Sequence, residues 1–221
     1  MPTVSKENYL KTIYSHISDS AGIVGTAKIA QELGVSNAAI TDMAKKLSKE
    51  GLITYEKYKG ISLTNEGEKI AVKVIRRHRL WELFLTRVLN LAWSELHDQA
   101  EKLEHHTSDF LIDKIDEYLG FPELDPHGHP IPRKNGSMPK SQKLKSLSET
   151  EKGMKYKLVM VNDKDHKLID YLSQIGLLLN TEFDVVDKLE FDHSVSIRIS
   201  NILFSLSDKI SQNIYVKQLD K

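Results

Sequence analysis

The chain has no cysteine among its 221 residues. Disulfide bonds and thiolate metal sites are therefore excluded, and any bound metal must be held by nitrogen and oxygen ligands. The sequence also has no apolar run that approaches the roughly 20 residues needed to cross a bilayer, and its first residues lack the order of a signal peptide. We therefore expect a cytoplasmic protein that has no membrane partner.

The formal net charge is zero, because 31 lysines and arginines balance 31 aspartates and glutamates. Without an overall attraction to nucleic acid, a DNA-binding surface would have to come from local segregation of charge. Proline is scarce outside one segment, and five of the six prolines fall between Pro122 and Pro139. That segment is predicted to be a loop or tether that separates two domains.

The spacing of apolar residues divides the chain into a helical part and a β part. As far as about residue 120, apolar residues recur at three- and four-residue steps, which is typical of helices with one buried face. From about residue 155, alternating and β-branched runs predict strands in "KYKLVMV", "EFDVVDKLEF", "SVSIRIS" and "NIYVKQL", and "HKLIDYLSQIG" predicts one helix among them. The predicted fold class is mainly α with a small β domain.

The first 64 residues predict a winged helix-turn-helix. Two short helices meet at Gly34, Ser36 can cap the second of them, and two β-prone runs follow around a basic tip. The second helix of such a unit enters the major groove, where small and polar side chains can reach bases and lysines can neutralise phosphates. The residues expected to contact DNA are Ser36, Asn37, Ala38, Thr41, Lys45, Lys46, Lys57 and Lys59. The same lysines could instead only solvate the surface.

A stripe of possible metal ligands follows in "HDQAEKLEHHTSD". Its members, three or four residues apart and therefore on one helix face, are His97, Glu101, Glu104 and His105. In the preceding helix His78 and Glu82 are again four residues apart, so a metal gripped by both helices would cross-link them. A single pair of this kind is usually a solvated ion pair, whereas two on consecutive helices favour a metal site. Imidazole with carboxylate suits manganese, iron, cobalt or zinc.

The order of these features resembles the metal-dependent repressors of the diphtheria toxin repressor family, which include the manganese-transport regulators. The winged helix, "RRHRLWE", "LHDQAEKLEHHTSD", the proline-rich "DPHGHPIP" and the β domain carry this resemblance over nearly the full length. It implies a homodimeric repressor that binds a palindromic DNA operator when loaded with metal and controls metal-ion homeostasis genes. The implied domains are a winged helix-turn-helix (1–64), a helical metal-binding and dimerisation domain with its tether (65–140) and an SH3-like β-barrel (150–221).

The resemblance also implies which residues bind metal. The primary site would use Asn8 from the first helix with Glu101, Glu104 and His105, and the second site would use His78, Glu82 and His97 with the tether residues Asp125 and His127. Asp163 is a poorer match, and His129 is expected to be a solvated loop residue. Asn8 departs from the pattern, because manganese regulators usually carry an aspartate there and the iron type a methionine.

Glu101 decides the metal that the resemblance implies. The iron-responsive toxin repressor has a cysteine at that position, whereas manganese-responsive members have a glutamate. The implied cofactor is therefore Mn(II), with Fe(II) as the alternative. Without metal, Glu82, Glu101 and Glu104 are expected to repel one another and loosen the helices.

The helix "DFLIDKIDEYL" is expected to supply the dimer surface, with Phe110, Leu111, Ile115 and Tyr118 on its apolar side, although this face could equally be core. Two other functions remain open: an iron-dependent repressor of the same architecture, and a metal-independent winged-helix regulator that senses through its β domain. An enzyme is not expected, because the sequence lacks the two helical Glu-x-x-His motifs of di-metal enzymes and the His-Glu-x-x-His motif of zinc proteases.

Overall fold

The computed structural model describes residues 3–17, 22–139 and 144–219. The N-terminal unit contains α1 (Val4–Ile17), α2 (Thr26–Leu33), α3 (Asn37–Lys49), β1 (Ile53–Glu56) and β2 (Gly60–Leu63). The middle of the chain contains α4 (Asn65–Leu89), a 3₁₀ turn (Trp93–Glu95), α5 (Leu96–Glu104) and α6 (Asp109–Tyr118). Within the described ranges, no helix is both long and apolar enough to cross a membrane.

The C-terminal part contains β3 (Lys145–Ser146), a 3₁₀ turn (Leu147–Glu149), β4 (Lys155–Val161), α7 (His166–Gln174), β5 (Glu182–Lys188), β6 (Val195–Ile199), β7 (Ile202–Leu206), α8 (Asp208–Ser211) and β8 (Ile214–Gln218). Six of these strands form one antiparallel sheet in the order β3-β8-β4-β5-β6-β7. The predicted class, helical domains followed by a small β domain, is confirmed. Because β3 already belongs to this sheet, the sheet begins ahead of the expected boundary at residue 150.

The helix-turn-helix forms because its turn residues satisfy the helix ends. Gly34 adopts a left-handed conformation with φ 63°, which ends α2. Ser36 then starts α3, where its hydroxyl oxygen accepts a hydrogen bond from the Ala39 amide at 3.2 Å. On α3 the buried residues Ile40 and Leu47 face the core, so the opposite face stays exposed. The wing consists of β1 and β2, which pair in antiparallel register.

The helix α4 is the central helix of the middle domain, since it packs against α1, α5 and α6. Thr64 caps its start by accepting a hydrogen bond from the Gly67 amide at 3.2 Å. Further along, Leu80 and Leu83 pack with Ile112, Ile115 and Ile131 in one apolar cluster. Of the two alternatives for Ile115, dimer surface or core, the structure shows core, because the side chain is buried between α4 and α6.

The sequence pattern did not predict the strand β7. It pairs with β6 through a two-residue turn in which Ser200 and Asn201 both have positive φ, 47° and 73°. Such a turn joins hairpin strands, and Asn favours it. The strand lies at the sheet edge, so Ile202 and Leu203 are both exposed and the usual alternation of apolar and polar residues is lost. The Ser-Asn pair between two apolar runs was the available signal.

The proline-rich tether is a loop, as predicted, but it is fixed between the helices and the sheet. The Val161 amide donates to the His127 carbonyl at 2.9 Å, and Arg79 of α4 donates to the Pro130 carbonyl at 2.5 Å. Gly128 has φ +90°, and a Cβ there would lie 2.1 Å from the Val159 carbonyl oxygen. The tether thus touches β4 so closely that only glycine fits at this position.

We expect Gly128→Ala to lower the free energy of unfolding by roughly 2–4 kcal/mol, because it combines backbone strain with a main-chain clash. Urea unfolding of the metal-free protein measures this change. Gly120→Ala is the matched control, since Gly120 has φ +78° and a Cβ at this position would meet no atom of the described residues within 4 Å. An equal loss in both variants would contradict the role of the close tether contact.

Candidate metal centre

Three overlapping groups of possible metal ligands lie where α1, α4, α5 and the tether meet. In each group the ligand atoms are within 4.8 Å of one another. The groups are His78 with Glu101 and Glu104, His78 with Glu82 and His97, and Glu82 with Asp125 and His127. His78 and Glu82 each belong to two groups, so the groups form one continuous candidate metal centre.

The first group, with His105 beside it, is called the α5 cluster. Glu104 is fully buried at its centre, and its Oε2 atom is 2.5 Å from Nδ1 of His78. The other nitrogen of His78, Nε2, is 3.1 Å from Oε1 of Glu82. The Nε2 atom of His105 lies 3.2 Å from Oε1 of Glu104, and it has no hydrogen-bond partner among the described residues. The predicted stripe on α5 therefore does face α4.

Lys11 of α1 also enters the α5 cluster. Its Nζ atom donates to Oε2 of Glu101 at 2.8 Å and to Oε1 of Glu104 at 2.7 Å. Burial alone would raise the pKa of Glu101, but the charge of Lys11 and hydrogen bonds to this carboxylate lower it to about 2. The sequence did not point to Lys11, because lysine is not a usual metal ligand and its partners, Glu101 and Glu104, are distant in sequence.

His78 is the second cation of the centre. Burial favours its neutral form, but the charge of Glu82 and hydrogen bonds to Glu104 and Glu82 outweigh this and raise its pKa to about 10. In this conformation Lys11 and His78 lie among the carboxylates of Glu82, Glu101 and Glu104 and offset the repulsion between them. The expectation that these carboxylates loosen the helices without metal stays a prediction.

The α1 helix offers two further neighbouring side chains, of which Glu7 contacts the α5 cluster. The Oδ1 atom of Asn8 is buried and accepts no hydrogen bond from the described residues, so it could still serve as a ligand. Glu7, which sequence analysis missed, places Oε2 2.6 Å from Nδ1 of His105 and accepts a hydrogen bond from Arg77 at 2.9 Å on Oε1. A carboxylate on Nδ1 holds that nitrogen protonated and leaves the Nε2 lone pair of His105 for a metal.

The second of the three groups, His78 with Glu82 and His97, is called the middle group, and His97 lies at its edge. The Nδ1 atom of His97 is 3.9 Å from Oε1 of Glu82, and its ring meets the His78 ring edge-on with centroids 4.9 Å apart. Burial, together with the charge of His78, lowers the pKa of His97. A neutral imidazole is the form that binds metal, so His97 is suited to this position.

The third group, with His129 and Asp163, is called the tether cluster. The Nδ1 atom of His127 lies 3.6 Å from Oε2 of Glu82, and Nδ1 of His129 lies 3.3 Å from Oδ2 of Asp125. Asp163 approaches both histidines, with its Oδ2 3.9 Å from His127 and 3.5 Å from His129. His129 is therefore part of the cluster, and the expectation that it is a solvated loop residue is wrong.

The tether cluster fits a metal ion because its ligand atoms are buried and lack hydrogen-bond partners among the described residues, and Oδ2 of Asp125 has only an ion-pair contact with Nε of Arg79 at 3.6 Å besides the cluster. No hydrogen-bond partner within the described ranges reaches Oε2 of Glu82, Oδ2 of Asp125, or the Nδ1 atoms of His127 and His129. Unsatisfied buried polar atoms are rare in folded proteins, and four that converge suggest an ion. The ligand set of carboxylate oxygens and imidazole nitrogens suits manganese, iron or zinc.

The turn of the tether orients the side chains of the tether cluster. Oδ1 of Asp125 accepts hydrogen bonds from the amides of His127 at 2.8 Å and His129 at 2.9 Å, which leaves Oδ2 for the cluster. Trp93 stacks on the His127 ring at 5.0 Å and donates to the Pro126 carbonyl at 3.1 Å. The ligand positions are therefore held by backbone and aromatic contacts and do not depend on a flexible loop.

The expected DNA-contacting residues lie together on α3 and the wing. Asn37 and Ala38 are exposed at the start of α3, and Thr41 is half-buried there, with its hydroxyl donating to the Asn37 carbonyl at 2.9 Å. The expected lysines, Lys45, Lys46, Lys57 and Lys59, are all exposed. Lys45 pairs with Asp42 at 3.6 Å and Lys59 with Glu56 at 2.6 Å, so phosphates would compete with these weak exposed pairs.

The outer face of α6 is apolar and exposed. Phe110 is 74% exposed, Tyr118 is 71% exposed and Leu111 is 45% exposed. Phe121, just beyond the helix, adds another exposed ring. An exposed apolar patch of this kind is typical of a surface that a partner covers.

The fold and these clusters define a winged-helix protein with a metal-binding helical domain, and comparisons with known proteins agree. Residues 1–61 match the N-terminal DNA binding domain of the iron dependent repressors. Residues 64–133 match their metal binding and dimerisation domain, and residues 145–218 match the FeoA domain.

Individual relatives cover more than half of the chain or nearly all of it. The HTH-type transcriptional regulator MntR of Lysinibacillus sphaericus (strain C3-41) is 36% identical over 57% of this chain and 89% of its own. A manganese-dependent transcriptional repressor in complex with manganese is 34% identical and superimposes with a TM-score of 0.87 over 97% of this chain and all of its own. ScaR with bound Zn²⁺ is 33% identical, with a TM-score of 0.81 over 99% of this chain and all of its own. The chain belongs to the iron-dependent repressor family of metal-dependent regulators, and the predicted resemblance is confirmed.

We expect Glu82→Gln to weaken metal binding by about 10-fold or more, because Glu82 faces both the middle group and the tether cluster. Titration calorimetry of the chelator-treated protein with Mn²⁺ measures the affinity and the number of ions bound. Asp98→Asn is the control, since Asp98 is an exposed carboxylate on α5. Unchanged affinity and stoichiometry in Glu82→Gln would show that the shared carboxylate does not bind metal.

Proposed function

We propose that this protein is a metal-dependent transcriptional repressor, which binds a palindromic DNA operator as a homodimer when loaded with Mn(II) and controls metal-ion homeostasis genes. The observation that carries the proposal is the position of α1. This helix is buried in the core of the DNA-binding unit through Tyr9, Leu10 and Ile13, and it also reaches the α5 cluster. A metal bound there would therefore act directly on the DNA-binding unit.

The proposed ligands fall into two positions. The first would use Asn8, Glu101, Glu104 and His105, and the second would use Glu82, Asp125 and His127 with Asp163 and His129. His78 belongs to ligand groups on both sides, and His97 lies with His78 and Glu82. A divalent ion supplies the positive charge that ties α1, α4, α5 and the tether together, and this chain's own side chains set where that charge is held.

Manganese is the proposed ion for two reasons. The available ligands are carboxylates, imidazoles and one amide, with no thiolate in the chain, and such a set suits Mn(II). Relatives that cover nearly the whole chain are described as manganese-dependent. Fe(II) remains the alternative, because it accepts the same ligands, and the family domains carry the name of iron.

Contacts through α1 connect the metal centre to the recognition helix. His105 donates a hydrogen bond to Glu7 of α1 at 2.6 Å. Two residues further along α1, the Tyr9 hydroxyl donates to the Ile40 carbonyl of α3 at 3.1 Å in a buried position. If His105 held a metal, its contact with Glu7 would restrict α1, and Tyr9 would pass this restriction to α3. This order of contacts supports metal-dependent placement of α3 in the major groove.

Dimerisation would place two such helices in successive major grooves, roughly 34 Å apart. The exposed apolar face of α6 is the proposed contact between the protomers. As a transcriptional regulator, the protein would act in the cytoplasm. We propose no catalytic activity for it.

We expect DNA binding to require metal and to depend on His105. Duplexes selected from a random pool in the presence of Mn²⁺ provide the operator, and fluorescence anisotropy measures its affinity with Mn²⁺ and with chelator. His105→Ala should bind at least about 50-fold more weakly in Mn²⁺, a typical coupling between two sites. The affinity of the unaltered protein should also fall steeply with salt.

His106→Ala is the matched control for this experiment, because His106 is the exposed neighbour of His105. It should bind the operator as the unaltered protein does. Equal operator affinity in chelator and in Mn²⁺ would contradict the proposal and favour a metal-independent regulator that senses through the C-terminal domain.

A further inference from the structure

Lys11 occupies the position in the α5 cluster where a cation is needed. It lies one helical turn after Glu7 on α1, and its side chain is only 15% exposed. Its ammonium group bonds two carboxylates at once, Glu101 at 2.8 Å and Glu104 at 2.7 Å. The Glu104 side chain is fully buried, so its charge has no compensation from solvent.

These contacts leave few free ligand atoms on the two carboxylates. Oε1 of Glu104 accepts from Lys11, and Oε2 of the same residue is 2.5 Å from Nδ1 of His78. A metal bound at Oε2 of Glu101 and Oε1 of Glu104 would occupy the oxygens that accept from Lys11. Two cations on the same pair of oxygens would repel each other strongly in a buried site, so a bound metal and the ammonium exclude one another there.

The surroundings allow the ammonium to leave. Lys11 lines a cleft of about 650 Å³ between α1, α2, α4, α5 and the segment after β4. Ser15, Gln31 and Glu32 line the same cleft, so a displaced ammonium would meet polar groups and water there. The lysine side chain is long and flexible and can swing without moving α1.

We propose that Lys11 is a built-in counter-cation that competes with the metal ion for Glu101 and Glu104. It stabilises the metal-free arrangement of α1 on α5, and it thereby raises the metal concentration at which the first position fills. This proposal rests on the proposed metal-binding function. It assigns to Lys11 the role of setting the sensitivity of the regulator, which neither the ligands nor the DNA-binding residues perform.

The alternative is that Lys11 only links α1 to α5. The two roles predict different effects of removing the charge on metal binding. If Lys11 competes with metal, Lys11→Met lowers the stability of the metal-free protein and strengthens metal binding, because the carboxylates are left uncompensated until a metal arrives. If Lys11 is only a link, the variant loses stability and binds metal no better.

Titration calorimetry with Mn²⁺ on the chelator-treated full chain tests the proposal without reference to DNA. We expect Lys11→Met to bind Mn²⁺ about 10-fold or more tightly than the unaltered protein. Lys11→Arg keeps the charge and should stay close to the unaltered affinity. Both variants are measured in a His127→Gln background as well, so that binding at the tether cluster does not mask the change.

Lys6→Met is the matched control, because Lys6 is also on α1 and pairs with a glutamate, Glu50, away from the metal centre. It should leave the Mn²⁺ affinity unchanged. Circular dichroism in chelator shows whether each variant folds, and if Lys11→Met does not, Lys11→Gln takes its place. Unchanged or weaker Mn²⁺ binding by the folded neutral variant would overturn the role of Lys11. Absence of metal-dependent operator binding in the unaltered protein would instead overturn the proposed function.

Discussion

Glu82 and Glu104 are fully buried carboxylates, and each requires positive charge nearby. The candidate metal centre depends on this requirement. An isolated ionised carboxylate in a protein interior costs several kcal/mol, and only a cation or several hydrogen bonds offset that cost. In this chain His78 lies between the two carboxylates and Lys11 reaches Glu104 from another helix. The packing of α1, α4 and α5 is therefore linked to whichever cation is present, and this link makes the arrangement sensitive to metal.

Because His78 and Glu82 each belong to two ligand groups, the centre extends without interruption from α1 to the tether. The tether in turn contacts β4, so the C-terminal sheet is joined to the same ligands through His127. The N-terminal unit, the middle domain and the C-terminal sheet are thus connected by contacts outside the linkers between them.

The helix α1 serves both parts of the protein because its two faces differ. Tyr9, Leu10 and Ile13 are buried in the core of the DNA-binding unit. Glu7 and Lys11 face the candidate metal centre. A helix places residues three or four apart on one side, so a single short segment can carry a core face and a charged face. Any shift of the charged face also moves the residues that pack on α3.

The sequence by itself determined what periodicity and capping specify: the winged helix with its Ser36 cap, the ligand stripe on α5, and the pairing of His78 with Glu82 one turn apart. These features depend on neighbours within a few residues. Only the tertiary structure decided that Glu7 orients His105, that Lys11 neutralises Glu101 and Glu104, that His129 joins the tether cluster and that Ile115 is in the core. Each of those contacts joins side chains from separate elements, and the distance between such elements is set by packing, which no local pattern records.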